Sequence, residues 1–125
     1  MKSATTFLMF QGQAHDAIEQ YKQWFPQLSI ESLTYVENSQ QVAMAEIDLN
    51  GLKLKMNDSP IKHDFSFTPA ISIFLDCGTM EEIETLVAQI LDGGQALMPL
   101  NNYGFSKQFA WIQDRFGVSW QLTYN

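Results

Sequence analysis

Two stretches decide the architecture: Asp48-Leu49-Asn50-Gly51-Leu52-Lys53-Leu54-Lys55-Met56 and Asp114-Arg115-Phe116-Gly117-Val118-Ser119-Trp120-Gln121-Leu122. They stand 66 positions apart, so that Asp48 falls on Asp114 and Gly51 on Gly117. In each, an acidic residue precedes a glycine, and apolar and polar residues then alternate. Side chains alternate faces along a strand, so each stretch reads as a turn feeding a half-buried strand. The same shift lays Gly12 on Gly78 and most apolar positions of one half on apolar positions of the other. An internal repeat outranks any single motif, because it fixes the units from which the chain is built.

Outward from those stretches, the first half reads strand, helix, three strands. Phe7-Leu8-Met9-Phe10 is a buried strand. Ala14, Ala17, Ile18, Tyr21, Trp24 and Phe25 recur at helical spacing until Pro26 ends the helix. Strand-like runs follow at 28–36, 41–49 and 52–57, the last two joined by the hairpin signal Asn50-Gly51. The segment from Asp58 to Phe67 holds Ser59-Pro60, lacks periodicity, and reads as the connection between halves. The second half then repeats the order. Ala70 to Leu75 is a strand. Thr79 and Glu82 form a capping box. Met80, Ile83, Leu86, Val87, Ile90 and Leu91 make an amphipathic helix closed by Gly93-Gly94. Strands follow near 95–98, 105–113 and 117–124. The expected fold is α+β: one domain over 1–125, made of two βαβββ modules at about 1–58 and 66–125. Neither module buries its apolar face alone, so the two are expected to form one curved mixed sheet around a shared cavity.

Composition bounds the function. A chain of 125 residues with 46% hydrophobic residues folds around a real core, which excludes a disordered chain. The net charge is -7 and no Lys/Arg cluster offsets it, which argues against a nucleic-acid or basic membrane surface. Cys77 is the only cysteine, so no intrachain disulfide forms. With no histidine near it in sequence, it reads as packing at a strand end, not as a catalytic thiol. The apolar run at the N-terminus is too short for a signal segment or a membrane span, so the expected location is the cytoplasm.

The order of elements resembles the glyoxalase/bleomycin-resistance fold of the vicinal oxygen chelate superfamily, and the wording resembles its PhnB-like family. That family also carries the label 3-demethylubiquinone-9 3-methyltransferase domain. The residues behind the resemblance are Phe7-Leu8-Met9-Phe10-Gln11-Gly12, Tyr21 with Trp24-Phe25-Pro26, and Phe65-Ser66-Phe67-Thr68-Pro69-Ala70-Ile71-Ser72. Gly93-Gly94, Tyr103-Gly104-Phe105-Ser106 and, most specific, Asp114 through Leu122 complete it. The resemblance implies a homodimer. No glycine-rich loop of the S-adenosylmethionine-binding kind is present, and the chain is short for a methyltransferase domain.

Metal-dependent members of the superfamily carry His, Gln or Glu at four cavity positions. Carried over, these fall on Thr6, Lys55, Ser72 and Gln121. An ammonium has no lone pair to give and the two hydroxyls are poor ligands, so no metal and no other cofactor is expected. His15, at the start of the first helix, reads as a solvated helix residue. His63, in the connection, reads as a surface-loop residue or one dipping over the cavity mouth.

The polar sides of the strands supply the remaining candidates. Lys53, Lys55 and Asn57 should share one face of the first module, with Thr6. Ser119 and Gln121 should share one face of the second, with Ser72 and Phe74. Tyr103, Phe105 and Trp111 are candidate walls. Such a face suits a small molecule, and the lysines suit an anion with an apolar body. The bland reading makes the same lysines a solvated strand face and the aromatics core. Two alternatives stay open. One is an enzyme of lyase, isomerase or dioxygenase type, with a relocated metal or with Lys55 as acid or base. The other is an interaction protein with a vestigial cavity.

Overall fold

The computed structural model describes residues 1–125, which divide into two compact units, Met1–Asp64 and Phe65–Asn125. The first holds β1 (Thr6–Phe10), α1 (Ala14–Trp24), β2 (Leu28–Tyr35), β3 (Val42–Leu49) and β4 (Leu52–Asp58). The second holds β5 (Ile73–Cys77), α2 (Met80–Leu91), β6 (Gln95–Asn101), β7 (Gln108–Gln113) and β8 (Ser119–Tyr124). Each unit is a four-stranded mixed sheet, ordered β1-β4-β3-β2 in one and β5-β8-β7-β6 in the other. In each, the strand before the helix pairs parallel with the last strand and the other pairings are antiparallel. The βαβββ reading of both halves is therefore borne out.

The first core is built from one face of α1 and one face of the sheet. Ala14, Ala17, Ile18, Tyr21 and Trp24 of the helix are buried, as are Leu8, Phe10, Ala45, Ile47, Leu54 and Met56 of the strands. In the second unit Ile83, Leu86, Val87 and Ile90 meet Ile73, Ala110, Ile112, Trp120 and Leu122. Each sheet thus has a face on its helix and an open face turned away from it.

The helix starts are secured differently. At α2 the expected capping box forms: Thr79 Oγ1 accepts from the Glu82 N–H at 3.0 Å, and Glu82 Oε1 accepts from the Gly78 N–H at 2.8 Å. At α1 the N-cap Gln13 makes no capping bond. Asp58, at the far end of β4, takes that role: its Oδ1 accepts from the N–H groups of Gly12 and Ala14, and its Oδ2 from that of Val42. Asp58 therefore ends β4 instead of opening the connection, and it ties three separate segments to one carboxylate.

The two hairpins at the heart of the repeat also differ. Asn50 and Gly51 both have positive φ (50° and 104°), which makes a two-residue type I′ turn. In the second unit Gly117 donates to the Asp114 carbonyl and Asp114 donates to the Val118 carbonyl, with Gly117 at φ 96°. That is a type I turn followed by a left-handed residue. Asp48 and Asp114 hold equivalent places: Asp48 Oδ1 accepts from the Gly51 N–H, and Asp114 Oδ1 accepts from the Phe116 and Val118 N–H groups. Asp114 Oδ2 also takes the Trp120 indole N–H at 2.8 Å.

The repeat slips by one residue at the first strands. Leu54 pairs with Thr6, but Trp120, 66 positions after Leu54, pairs with Ile73, 67 positions after Thr6. Phe10-Gln11-Gly12 joins strand to helix in the first unit where Cys77-Gly78 suffices in the second, so Gln11 has no counterpart. The strand expected from Ala70 begins at Ile73.

Candidate functional site

On the open face of the first unit the pairing register places Phe7 beside Lys55 and Met9 beside Asn57. On the next strand Glu46 lies beside Lys55 and Asp48 beside Lys53. Thr6 is a correction. It pairs with buried Leu54 and shares the parity of Leu8 and Phe10, so its side chain belongs to the helix-facing side. A one-residue change of register exchanges the two faces of a strand, and the slip at Gln11 does so here. Phe7, 47% exposed, occupies the open-face place assigned to Thr6.

The lysines do not present free positive charge. Lys53 Nζ lies 2.8 Å from Asp48 and 3.3 Å from Glu31, and Lys55 Nζ lies 3.8 Å from Glu46. The hydrogen bond to Asp48, then that to Glu31, holds the Lys53 ammonium above the ordinary lysine range. Asp48 is correspondingly held below the ordinary carboxylate range, by Lys53 first and the Gly51 N–H second. The Lys55 side chain is 44% exposed, so it is not the buried lysine that acid–base chemistry near neutral pH requires. Beside this ion-paired patch, Asn57 Oδ1 is buried and has no hydrogen-bond partner.

The open face of the second unit is of another kind. Phe74, Gln121 and Trp111 form one row across β5, β8 and β7, and Asp76, Thr123 and Phe109 form the next. The Trp111 indole N–H donates to Ser119 Oγ at 2.9 Å. The Ser119 and Ser72 hydroxyls lie 2.7 Å apart, and Gln121 Nε2 donates to Ser72 Oγ at 3.3 Å. Ser72 thus joins this face although it precedes the strand. Tyr103 and Phe105 stack on one another and meet Phe109 edge-on, at centroid distances of 6.1 and 5.0 Å. The Tyr103 hydroxyl donates to the Pro99 carbonyl. These two rings cover Phe109 at one end of the face.

The four positions that the superfamily uses for a metal do not fit one here. Thr6 faces the helix side, Lys55 carries an ammonium held by Glu46, and the Ser72 hydroxyl is engaged by Ser119 and Gln121. Only the Gln121 amide is a ligand type. No three His, Cys, Asp or Glu side chains converge elsewhere. His15, expected to be solvated, is half-buried with Nδ1 2.8 Å from the Tyr35 hydroxyl. His63 Nε2 lies 3.0 Å from Ser59 Oγ, and the His63 N–H donates to Gln11 Oε1.

Sequence reasoning missed a surface cavity of about 550 Å3 in the first unit, beside the start of α1 and lined in part by Gln11, His15, Asp58 and Ser59. No signal in the sequence marked it, because Asp58 there is only the first residue of a stretch without periodicity.

The family model for 3-demethylubiquinone-9 3-methyltransferase matches residues 2–123. The chain belongs to this PhnB-like family. A PhnB protein of Bacillus cereus is 41% identical, with 99% of this chain and 100% of that one covered and a TM-score of 0.92. A protein of Pseudomonas aeruginosa is 22% identical over 100% of this chain and 98% of its own, with a TM-score of 0.82. A glyoxylase/bleomycin resistance protein/dioxygenase domain from Frankia is 9% identical over 100% and 93%, with a TM-score of 0.71. The last two show the fold alone, which is the vicinal oxygen chelate fold. The comparison with curated proteins returns no match. For this PhnB-like chain the expected family and fold class therefore hold.

Proposed function

We propose that this PhnB-like chain binds a small molecule on the open sheet faces, without a metal of the superfamily's usual kind. The observation that carries the reading is the linked set Trp111–Ser119–Ser72–Gln121. These polar side chains lie on the face that the helix does not use, and they are fixed by hydrogen bonds to one another. Polar groups held in place beside aromatic rings are the ordinary make-up of a ligand surface. An anion is the poorer ligand, because Glu31, Glu46 and Asp48 already answer Lys53 and Lys55.

Methyl transfer, in the family's description, is not part of this reading. Neither unit has the glycine-rich loop after a parallel strand that would cradle S-adenosylmethionine. Exposed Ile61, Phe65, Ile71 and Phe105 support a homodimer, which sedimentation equilibrium tests. A cytoplasmic setting is part of the same proposal; no helix is long and apolar enough to cross a membrane.

The deciding experiment is a native mass spectrum of protein purified without a metal-affinity step, before and after incubation with a metabolite extract. The expected result is a stoichiometric organic adduct. A stoichiometric divalent metal, or no adduct from any extract, overturns the proposal.

A further inference from the structure

The second unit's open face has a shape and a charge that together narrow the ligand. Phe74 and Trp111 stand on either side of Gln121, two strands apart. Adjacent strands are spaced by about 4.8 Å, so the two positions are separated by roughly 9.6 Å. A flat ring stacked between two others takes about 7 Å between their planes, so Phe74 and Trp111 side chains that lean toward one another from these positions would clasp a single ring. Phe74 is 58% exposed, so its ring is available for stacking. Trp111 is held by its bond to Ser119.

The floor of this slot is the Gln121 amide. One Nε2 hydrogen is committed to Ser72. The carbonyl Oε1 and the second N–H remain, an acceptor beside a donor. Such an edge is matched by a ring that carries N–H and C=O on adjacent atoms, as in a lactam.

Charge excludes one class. The second unit has only two basic residues, Lys107 and Arg115. Lys107 Nζ lies over the Tyr124 ring, and Arg115 is bonded to Asp92. Neither is on the open face, where Asp76 supplies the one formal charge. We infer that this face takes a flat, uncharged or cationic heteroaromatic ring, stacked between Phe74 and Trp111 with an N–H/C=O edge on Gln121. The inference rests on the small-molecule reading above and names the ligand class for it.

Three probes test it by NMR titration of the Trp111 indole N–H and the Gln121 side-chain amide: quinolin-2(1H)-one, its N-methyl derivative, and 2-naphthoate. The expected order is quinolinone tightest and naphthoate weakest. Phe74→Ala should weaken quinolinone about tenfold, roughly the worth of one aromatic stack. Phe74→Leu, which keeps apolar bulk but loses the ring, guards against a folding defect and should weaken it similarly. Gln121→Leu should abolish the preference for quinolinone over its N-methyl derivative. Tighter binding of naphthoate, indifference to all three substitutions, or no shift with any probe overturns the inference. The adduct spectrum is independent of these probes, so failure here with an adduct there condemns the ligand class and leaves the binding function standing.

Discussion

Asp58 concentrates more of the first unit's order than any other side chain. It is 3% exposed and accepts from three backbone N–H groups, those of Gly12, Ala14 and Val42. Hydrogen bonds to a charged group are the stronger kind, and leaving such donors unanswered costs their desolvation. Asp58→Ala should therefore lower stability by roughly 3 kcal/mol in urea denaturation, against a change within about 0.5 kcal/mol for exposed Asp16→Ala. Equal effects at the two positions would sink the capping role. Cys77 carries a second residue-scale consequence. Burial first, then the Glu82 and Asp76 charges, pushes its thiol up to about 11. The thiol of the unfolded chain ionises near its ordinary value of about 8.5, so between there and about 11 the unfolded state holds fewer protons. The stability difference between the protein and Cys77→Ala should fall as pH rises through that window. A difference that stays flat from neutral pH to pH 11 would contradict it.

At the scale of elements, the helix-to-strand joint after α2 is the tightest. A Cβ on Gly94 would lie 2.4 Å from the Gln113 carbonyl oxygen and 3.0 Å from that of Ile90. Both obstacles are backbone, so Gly94→Ala should cost about 3 kcal/mol or prevent folding, as read from the urea midpoint. A near-neutral result would mean that β6 can slide away from β7. Most elements were legible because their signals are local: the helical spacing of Ala17, Ile18 and Tyr21, the Asn50-Gly51 turn, the Thr79–Glu82 box. What escaped was non-local. Thr6 was put on the wrong face because the repeat was carried through an unmatched residue, Gln11, and strand parity does not survive an insertion. The pairing of Lys53 with Asp48 and of Lys55 with Glu46 is the local exception: the two-residue Asn50-Gly51 turn sets that register, although alternation within β4 by itself does not show it. Asp58 as the cap of a helix 44 positions earlier has no local signature at all.

For the whole molecule, the net charge of -7 is a self-repulsion that ion pairs only partly offset. Screening length falls from about 30 Å at low salt to about 8 Å at physiological ionic strength. The melting temperature should therefore rise over that range. A fall would mean that the exposed pairs around Lys53 and Lys55 outweigh the repulsion. The net charge, the two-module plan and the family were all readable from the chain as written; the character of its two open faces was not. One of those faces is laced with opposite charges, and the other is aromatic and nearly uncharged. The unmatched Gln11 has a bearing on that contrast. If the halves descend from one ancestral copy, that residue marks where their histories parted: either copy could accept substitutions on its outer surface while sharing a backbone plan with its twin. A synthetic gene repeating one half would recover the symmetry and lose the division of labour. It would offer two ionic faces or two stacking faces, and never one of each.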